Sequence, residues 1–187
     1  MNKITKSILL FVALLLPALV FVFLKMFGEN KFDIPIYNHT YLEEGVSCPQ
    51  INLPHTVDRI GDVLSNRSVN IYHLMTDEDQ EQLKNLMIVK DRLANVDAQV
   101  TSFIVSDSTV SITEITGRYQ ISGIWKVTAT TGEDLLKYQT CQLLTVNKET
   151  LVLVDKRGII RGYYFANDGE DIDRLILESK ILLHIDG

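Results

Sequence analysis

The sequence predicts an α/β domain, a central mixed sheet flanked by helices, behind one N-terminal transmembrane helix. Three observations carry that expectation. Residues 8–24 form an apolar run broken only by Pro17. Residues 69–106 pass through strand, helix and strand patterns. The last third reads as a hairpin followed by a helix.

The apolar run is bounded by Lys3 and Lys6 before it and Lys25 after it. A helix of about 17–25 apolar residues spans the roughly 30 Å hydrocarbon core of a bilayer. A buried core helix would carry a polar face, and this segment has none. It ends in Phe21-Val22-Phe23-Leu24-Lys25-Met26-Phe27, bulky residues where a signal peptidase requires small ones. An uncleaved signal-anchor is therefore expected, with the lipid bilayer as its partner through residues 8–24. Positive charge is nearly balanced across the run, and the usual outcome for such an anchor leaves the N-terminus in the cytoplasm. In a bacterial cell that makes a single-pass inner-membrane protein with its C-terminal domain in the periplasm.

All four prolines, Pro17, Pro35, Pro49 and Pro54, fall early in the chain. Three regions follow: an anchor over 1–27, a linker and N-terminal arm over 28–55, and a body over 56–187, long enough to build its own hydrophobic core. The net charge is −6 and the 18 basic residues are dispersed, without a basic stripe or interleaved aromatics. Nucleic acid is excluded as a partner on that ground.

Within the body, Val69-Asn70-Ile71-Tyr72-His73-Leu74-Met75 is rich in strand formers. Thr76, followed by Asp77, Glu78 and Asp79, supplies a hydroxyl cap and first-turn acids, so a helix is expected to begin there. Leu83, Leu86, Met87 and Leu93 give it an apolar stripe ending near Asn95. A second strand is expected over 99–106, centred on Phe103-Ile104-Val105. Residues 107–132 are ambiguous: 111–122 reads as a short helix packing through Ile112, Ile115 and Tyr119, and Trp125 as an anchor of core or loop contacts. Leu151-Val152-Leu153-Val154-Asp155 is a continuous apolar strand, Lys156-Arg157-Gly158 a turn, and residues 159–165 its hairpin partner. A final helix opens over 168–173 and packs through Ile172, Leu175, Ile176 and Leu183. The order βαβ…ββα is that of a thioredoxin-like fold.

The hairpin sequence above, running on through Ile159-Ile160-Arg161-Gly162-Tyr163-Tyr164 to Asp173-Arg174-Leu175-Ile176, resembles the closing hairpin and helix of Sco/SenC proteins. The segment after the anchor, Phe27-Gly28-Glu29-Asn30-Lys31-Phe32-Asp33-Ile34-Pro35, is similar to the start of such proteins from Bacteroidetes-type bacteria. The resemblance implies a membrane-anchored thioredoxin-like factor that assembles the copper centre of cytochrome c oxidase. It also implies a C-x-x-x-C at the first strand-to-helix junction and a distal histidine, because thiolate and imidazole suit Cu(I). This chain departs from that pattern. The junction reads Met75-Thr76-Asp77-Glu78-Asp79-Gln80-Glu81, without cysteine, and the distal position reads Asn147-Lys148-Glu149-Thr150, without histidine.

Two cysteines remain, Cys48 and Cys141, in a domain expected to face an oxidising compartment. An even count permits a disulfide, and two buried unpaired thiols would be equally compatible with the sequence. His39 and His55 flank Cys48, but their spacing matches no zinc template. His73 reads as a hydrogen-bonded interior or edge residue of a strand. The acidic cluster Asp77, Glu78, Asp79 and Glu81 reads as a complement to a helix dipole rather than as acid–base machinery. No phosphate-binding glycine loop, G-x-S-x-G or H-E-x-x-H occurs. The expectation is thus a non-catalytic relative of Sco/SenC with no catalytic, cofactor-binding or metal-binding residues, tethered to the membrane and binding a protein partner, with cytochrome c oxidase assembly the role suggested. The alternative is an atypical thiol-disulfide oxidoreductase or copper carrier built from Cys48 and Cys141.

Overall fold

A computed structural model describes residues 2–27, 34–37, 48, 55–57, 67–75, 79–105, 112–145 and 150–186. The chain divides into two compact units, Met1–Asp33 and Ile34–Gly187. The first holds helix α1 (Lys3–Phe27), with Pro17 inside it. By length and composition this helix can cross a membrane over Ile4–Phe23, and its described side chains are not buried by the rest of the chain.

In the second unit the elements are β1 (Val69–Met75), α2 (Gln80–Leu93), β2 (Ala98–Val105), α3 (Ile112–Arg118), β3 (Trp125–Thr130), α4 (Gly132–Lys137), a π-helical turn (Tyr138–Gln142), β4 (Leu151–Asp155), β5 (Ile160–Tyr164) and α5 (Gly169–Asp186). They form one sheet in the order β3-β2-β1-β4-β5. The three strands β1, β2 and β3 run parallel, while β4 is antiparallel to both β1 and β5. Strand β1 is buried along its whole length because it is central and covered on both faces.

Alternation along the strands sorts the core into two layers. Val69, Ile71 and Met75 share one face with Leu83, Leu86, Val89 and Leu93 of α2, Ile115 of α3, and Ile172, Leu175 and Ile176 of α5. Tyr72 and Leu74 face the other way, against Phe103, Val152 and Val154 and under Leu135 and Leu143 from the region of α4. On the first side α5 is tied to β5 by the Tyr164 hydroxyl, which donates to Glu178 Oε2 at 2.6 Å, and by the Arg174 guanidinium, 4.8 Å above the Tyr164 ring.

Sequence and structure differ in two places. The helix expected to open behind Thr76 begins at Gln80, with Asp79 as its N-cap: the Asp79 carboxylate accepts from the Glu81 and Gln82 amides. A carboxylate beside free helix amides satisfies them and also complements the dipole. Trp125 opens a strand, β3, that extends the parallel part of the sheet. Thr76-Asp77-Glu78, Asn147-Lys148-Glu149 and His39 lie outside the described residues.

Parts of the N-terminal arm, and the first residues of the body that follow it, pack into the second unit. Ile34 is buried in the first core layer and Val57 in the second. The Tyr37 amide donates to the Ile160 carbonyl at 3.1 Å, and the Val57 amide to the Gly158 carbonyl at 2.7 Å. Gly158 has φ +80°, and a Cβ there would lie 2.8 Å from the Val57 carbonyl oxygen. The turn therefore requires glycine both for its backbone and for the passage of the arm.

Candidate functional site

The junction of β1 with α2 is where the resembled family places its chemistry. In this chain it is the end of a hydrogen-bonded line running into the core. Gln82 lies one helical turn after the cap, so its side chain returns to Asp79, and its amide nitrogen donates to Asp79 Oδ2 at 3.2 Å. That fixes the amide orientation, since an ionised carboxylate only accepts. Gln82 Oε1 then faces His73 Nε2 at 3.1 Å, so Nε2 carries the proton. His73 Nδ1 is left as an acceptor, 3.0 Å from Ser102 Oγ. Ser102 Oγ in turn accepts from the Trp125 indole N–H at 2.9 Å. Every donor in the line Trp125, Ser102, His73, Gln82, Asp79 points toward the carboxylate.

The parallel register explains the meeting. His73 pairs with Ser102, and strand alternation places both on the α2 side of the sheet, in reach of Trp125 from β3. Both His73 and Ser102 have zero exposure. Burial disfavours the imidazolium and lowers the His73 pKa to about 4, only partly countered by its bond to Gln82 and by the Asp79 charge.

A serine, a histidine and an acid-linked amide in sequence along hydrogen bonds have the outline of a nucleophilic triad. Here the serine hydroxyl is wholly buried and capped by an indole, so no substrate reaches it. The same donors do not suit Cu(I). Both ring nitrogens of His73 are engaged inside the core, both Asp79 oxygens are engaged at the helix end, and the junction has no sulfur other than Met75, which is buried. Among the described residues no group of three or more His, Cys, Asp or Glu side chains is placed to hold a metal ion.

The two cysteines lie on the opposite side of the sheet and are joined as a disulfide, with Cα atoms 5.6 Å apart and a sequence separation of 93. Cys141 is buried in the π-helical turn that follows α4, at the carbonyl end of a helix, where the dipole opposes a thiolate. His55 Nε2 donates to the neighbouring Gln142 carbonyl at 2.7 Å. His55 is thus tied to backbone, and His184 lies exposed near the end of α5.

The sequence reading of His73 as a hydrogen-bonded interior or edge residue resolves to interior, and Ser102, Gln82 and the role of Trp125 were missed. Spacing along α2 was the available signal for Gln82, which sits three residues after Asp79. Nothing local marks Ser102, because its partner is set by strand register.

No protein-family model matches the chain, and no curated protein matches it in sequence. Solved structures do match. BsSco, described as a member of the Sco family of cytochrome c oxidase assembly proteins with a disulfide switch, is 14% identical with a TM-score of 0.52, over 63% of this chain and 81% of that one. A SCO1/SenC family lipoprotein from Bacillus anthracis is 15% identical with a TM-score of 0.52, over 63% and 82%. A proposed protein disulfide isomerase from Bacteroides thetaiotaomicron is 13% identical with a TM-score of 0.51, over 64% and 76%. At these identities the likeness is one of fold, and it agrees with the order of strands and helices described above: the body of this chain has a Sco/SenC-like thioredoxin fold.

Proposed function

We propose that this chain is a membrane-anchored, non-catalytic thioredoxin-like protein whose body acts by binding a protein partner, with cytochrome c oxidase assembly the setting its fold neighbours suggest. The observation that carries the reading is the β1–α2 junction. The position that would hold a redox or copper-binding pair holds Asp79, whose carboxylate caps α2 and anchors a buried hydrogen-bonded line to Trp125. Among its described residues this corner carries no thiol and is closed by buried hydrogen bonds. Cys141, buried at the carbonyl end of a helix, is poorly placed to serve as an attacking thiolate in turnover. Helix α1 supplies the anchor, and the body is proposed to lie on the periplasmic side of the inner membrane.

Purified full-length protein in detergent micelles, titrated with Cu(I) and assayed for disulfide reductase and isomerase activity, tests this. The expected result is no stoichiometric copper and no turnover. Tight equimolar copper, or turnover abolished by Cys48→Ser, would replace this reading with the carrier or oxidoreductase built from Cys48 and Cys141. Recovery of oxidase subunits with the tagged chain from its own membranes, lost when the β1–α2 corner is altered, is the positive result expected.

A further inference from the structure

Helix α4 runs without a break into the π-helical turn, and nothing in the local sequence asks for the change. Residues 133–145 contain neither proline nor glycine, and Leu135, Leu136, Lys137, Gln139 and Gln142 are good α-helix formers. Three unfavourable features nonetheless gather here. The Leu143 amide donates to the Tyr138 carbonyl, five residues back instead of four, and the Thr145 amide closes the helix end with a cap bond to the Gln139 carbonyl. Leu144, with φ 50°, occupies the left-handed position of the helix C-cap, which usually takes glycine because a Cβ disfavours it. Gln142 Oε1 is buried without a hydrogen-bond partner among the described residues.

Besides its own backbone bonds and the burial of Leu143, two ties reach this segment from elsewhere in the chain. Cys141 is bonded to Cys48, and the next carbonyl, that of Gln142, accepts from His55. We propose that the Cys48–Cys141 disulfide is a redox latch, holding the segment after α4 in a π register that rewinds to an α-helix when the bridge is reduced. This goes beyond the binding role above and does not depend on it, since a latch changes state once per reduction without turnover.

The chemistry requires a dithiol reductant. Cys48 is the less buried of the two residues, so a thiolate attacks Cys48 Sγ. The S–S bond breaks with its electron pair on Cys141, which takes up a proton. The second thiol of the reductant then attacks the mixed disulfide, releasing Cys48 as a thiol and leaving the reductant oxidised. Freed of its tether, residue 141 can turn with the helix, Leu144 can leave the left-handed region, and the His55 bond to Gln142 is lost.

Carbon-13 chemical shifts of the full chain in detergent micelles, oxidised and then reduced with dithiothreitol, test the latch. The expected result is helical shifts spreading through Leu143 and Leu144 on reduction, with those of β1, β2, β4 and β5 unchanged. Unchanged shifts over 138–145 overturn the proposal, and so does loss of the whole fold, which would make the bridge a staple for the entire body. A second measurement uses Leu144→Gly, which removes the left-handed penalty from the latched state only. The bridge in this variant should be about fivefold harder to reduce at equilibrium, and an unchanged equilibrium would overturn the strain argument. Copper binding would sink the functional reading and leave the latch standing.

Discussion

Ser102 Oγ lies 3.0 Å from His73 Nδ1 and accepts the Trp125 indole N–H at 2.9 Å, so one hydroxyl serves two buried partners on two strands. Ser102→Ala deletes the acceptor of the indole and the donor to the imidazole at once. Two buried polar groups are left without partners, at about 1–3 kcal/mol each before any relaxation. The variant should lose about 2–4 kcal/mol, with a shift in Trp125 fluorescence. Urea unfolding followed by that fluorescence measures both, and an unchanged midpoint would show the line to be unimportant.

The same burial gives stability a defined pH dependence. His73 has a folded pKa of about 4 against an ordinary 6.5, so the unfolded chain binds the proton more readily. The contribution of neutral His73 is fully present above pH 6.5, falls as pH drops toward 4, and is flat below that. Its ceiling is about 3 kcal/mol for a shift of this size. Three other groups face it: Gln82, whose amide oxygen accepts from Nε2 in either state, Asp79, whose charge resists the loss, and Ser102, which can reverse its hydroxyl to accept from an imidazolium. Unfolding free energy measured from pH 7.5 to pH 4 should fall along this curve and flatten in His73→Leu. Asp97 adds a loss at lower pH: Arg67 and Ser68 hold its carboxyl down to about 2, so its window adjoins that of His73 on the acid side.

These two features also show what the sequence could and could not convey. The strand–helix–strand and the closing hairpin were legible because they bury whole apolar runs: Leu151-Val152-Leu153-Val154 reads the same as a pattern and as a strand. Strand β3 was not, since Lys126 and Ala129 are exposed and an edge strand needs only one apolar face. The start of α2 shifted from Thr76 to Asp79 because several cap-competent residues stand in a row and only tertiary position chooses between them. The line through His73 joins residues separated by 9 and by 29 positions, distances set by topology and not by local pattern.

Gly158→Ala addresses the passage of the arm. The substitution forces a Cβ onto a residue at φ +80° and places it 2.8 Å from the Val57 carbonyl oxygen. The backbone penalty alone is about 1–2 kcal/mol, and relieving the contact moves the arm off the turn. Thermal unfolding should shift down, and hydrogen exchange at the Val57 amide should accelerate because its bond to the Gly158 carbonyl is lost. Retained protection at Val57 would mean that the arm is held elsewhere.

Removing the disulfide has a bounded effect. A bridge across 93 positions constrains the unfolded chain strongly, with a ceiling of about 4–5 kcal/mol in the chain-entropy model and about 2–4 kcal/mol in typical measurements. Cys48→Ala with Cys141→Ala should therefore lower stability by about 2–4 kcal/mol while the far-ultraviolet circular dichroism stays folded. Complete unfolding of the double variant would show that the two core layers do not suffice without it.

Asp79 combines a cap and a charge, and two substitutions separate them. Asp79→Ser keeps a cap-competent oxygen for the amides of Glu81 and Gln82 but removes the negative charge. Asp79→Ala removes both and should cost about 1–2 kcal/mol at neutral pH, against a few tenths for serine. The electrostatic consequence is shared. The Asp79 charge raises the His73 pKa against the larger effect of burial, so either variant lowers that pKa further below 4. Protonation is then excluded down to a more acidic pH, and the loss of stability on acidification extends to lower pH than in the parent chain. Proton NMR titration of the His73 ring in the parent and in Asp79→Ser reads this directly. An unmoved or raised pKa would mean that the carboxylate is not felt at the imidazole, and that the line from helix cap to indole is a set of separate contacts with no electrostatic coupling between its ends.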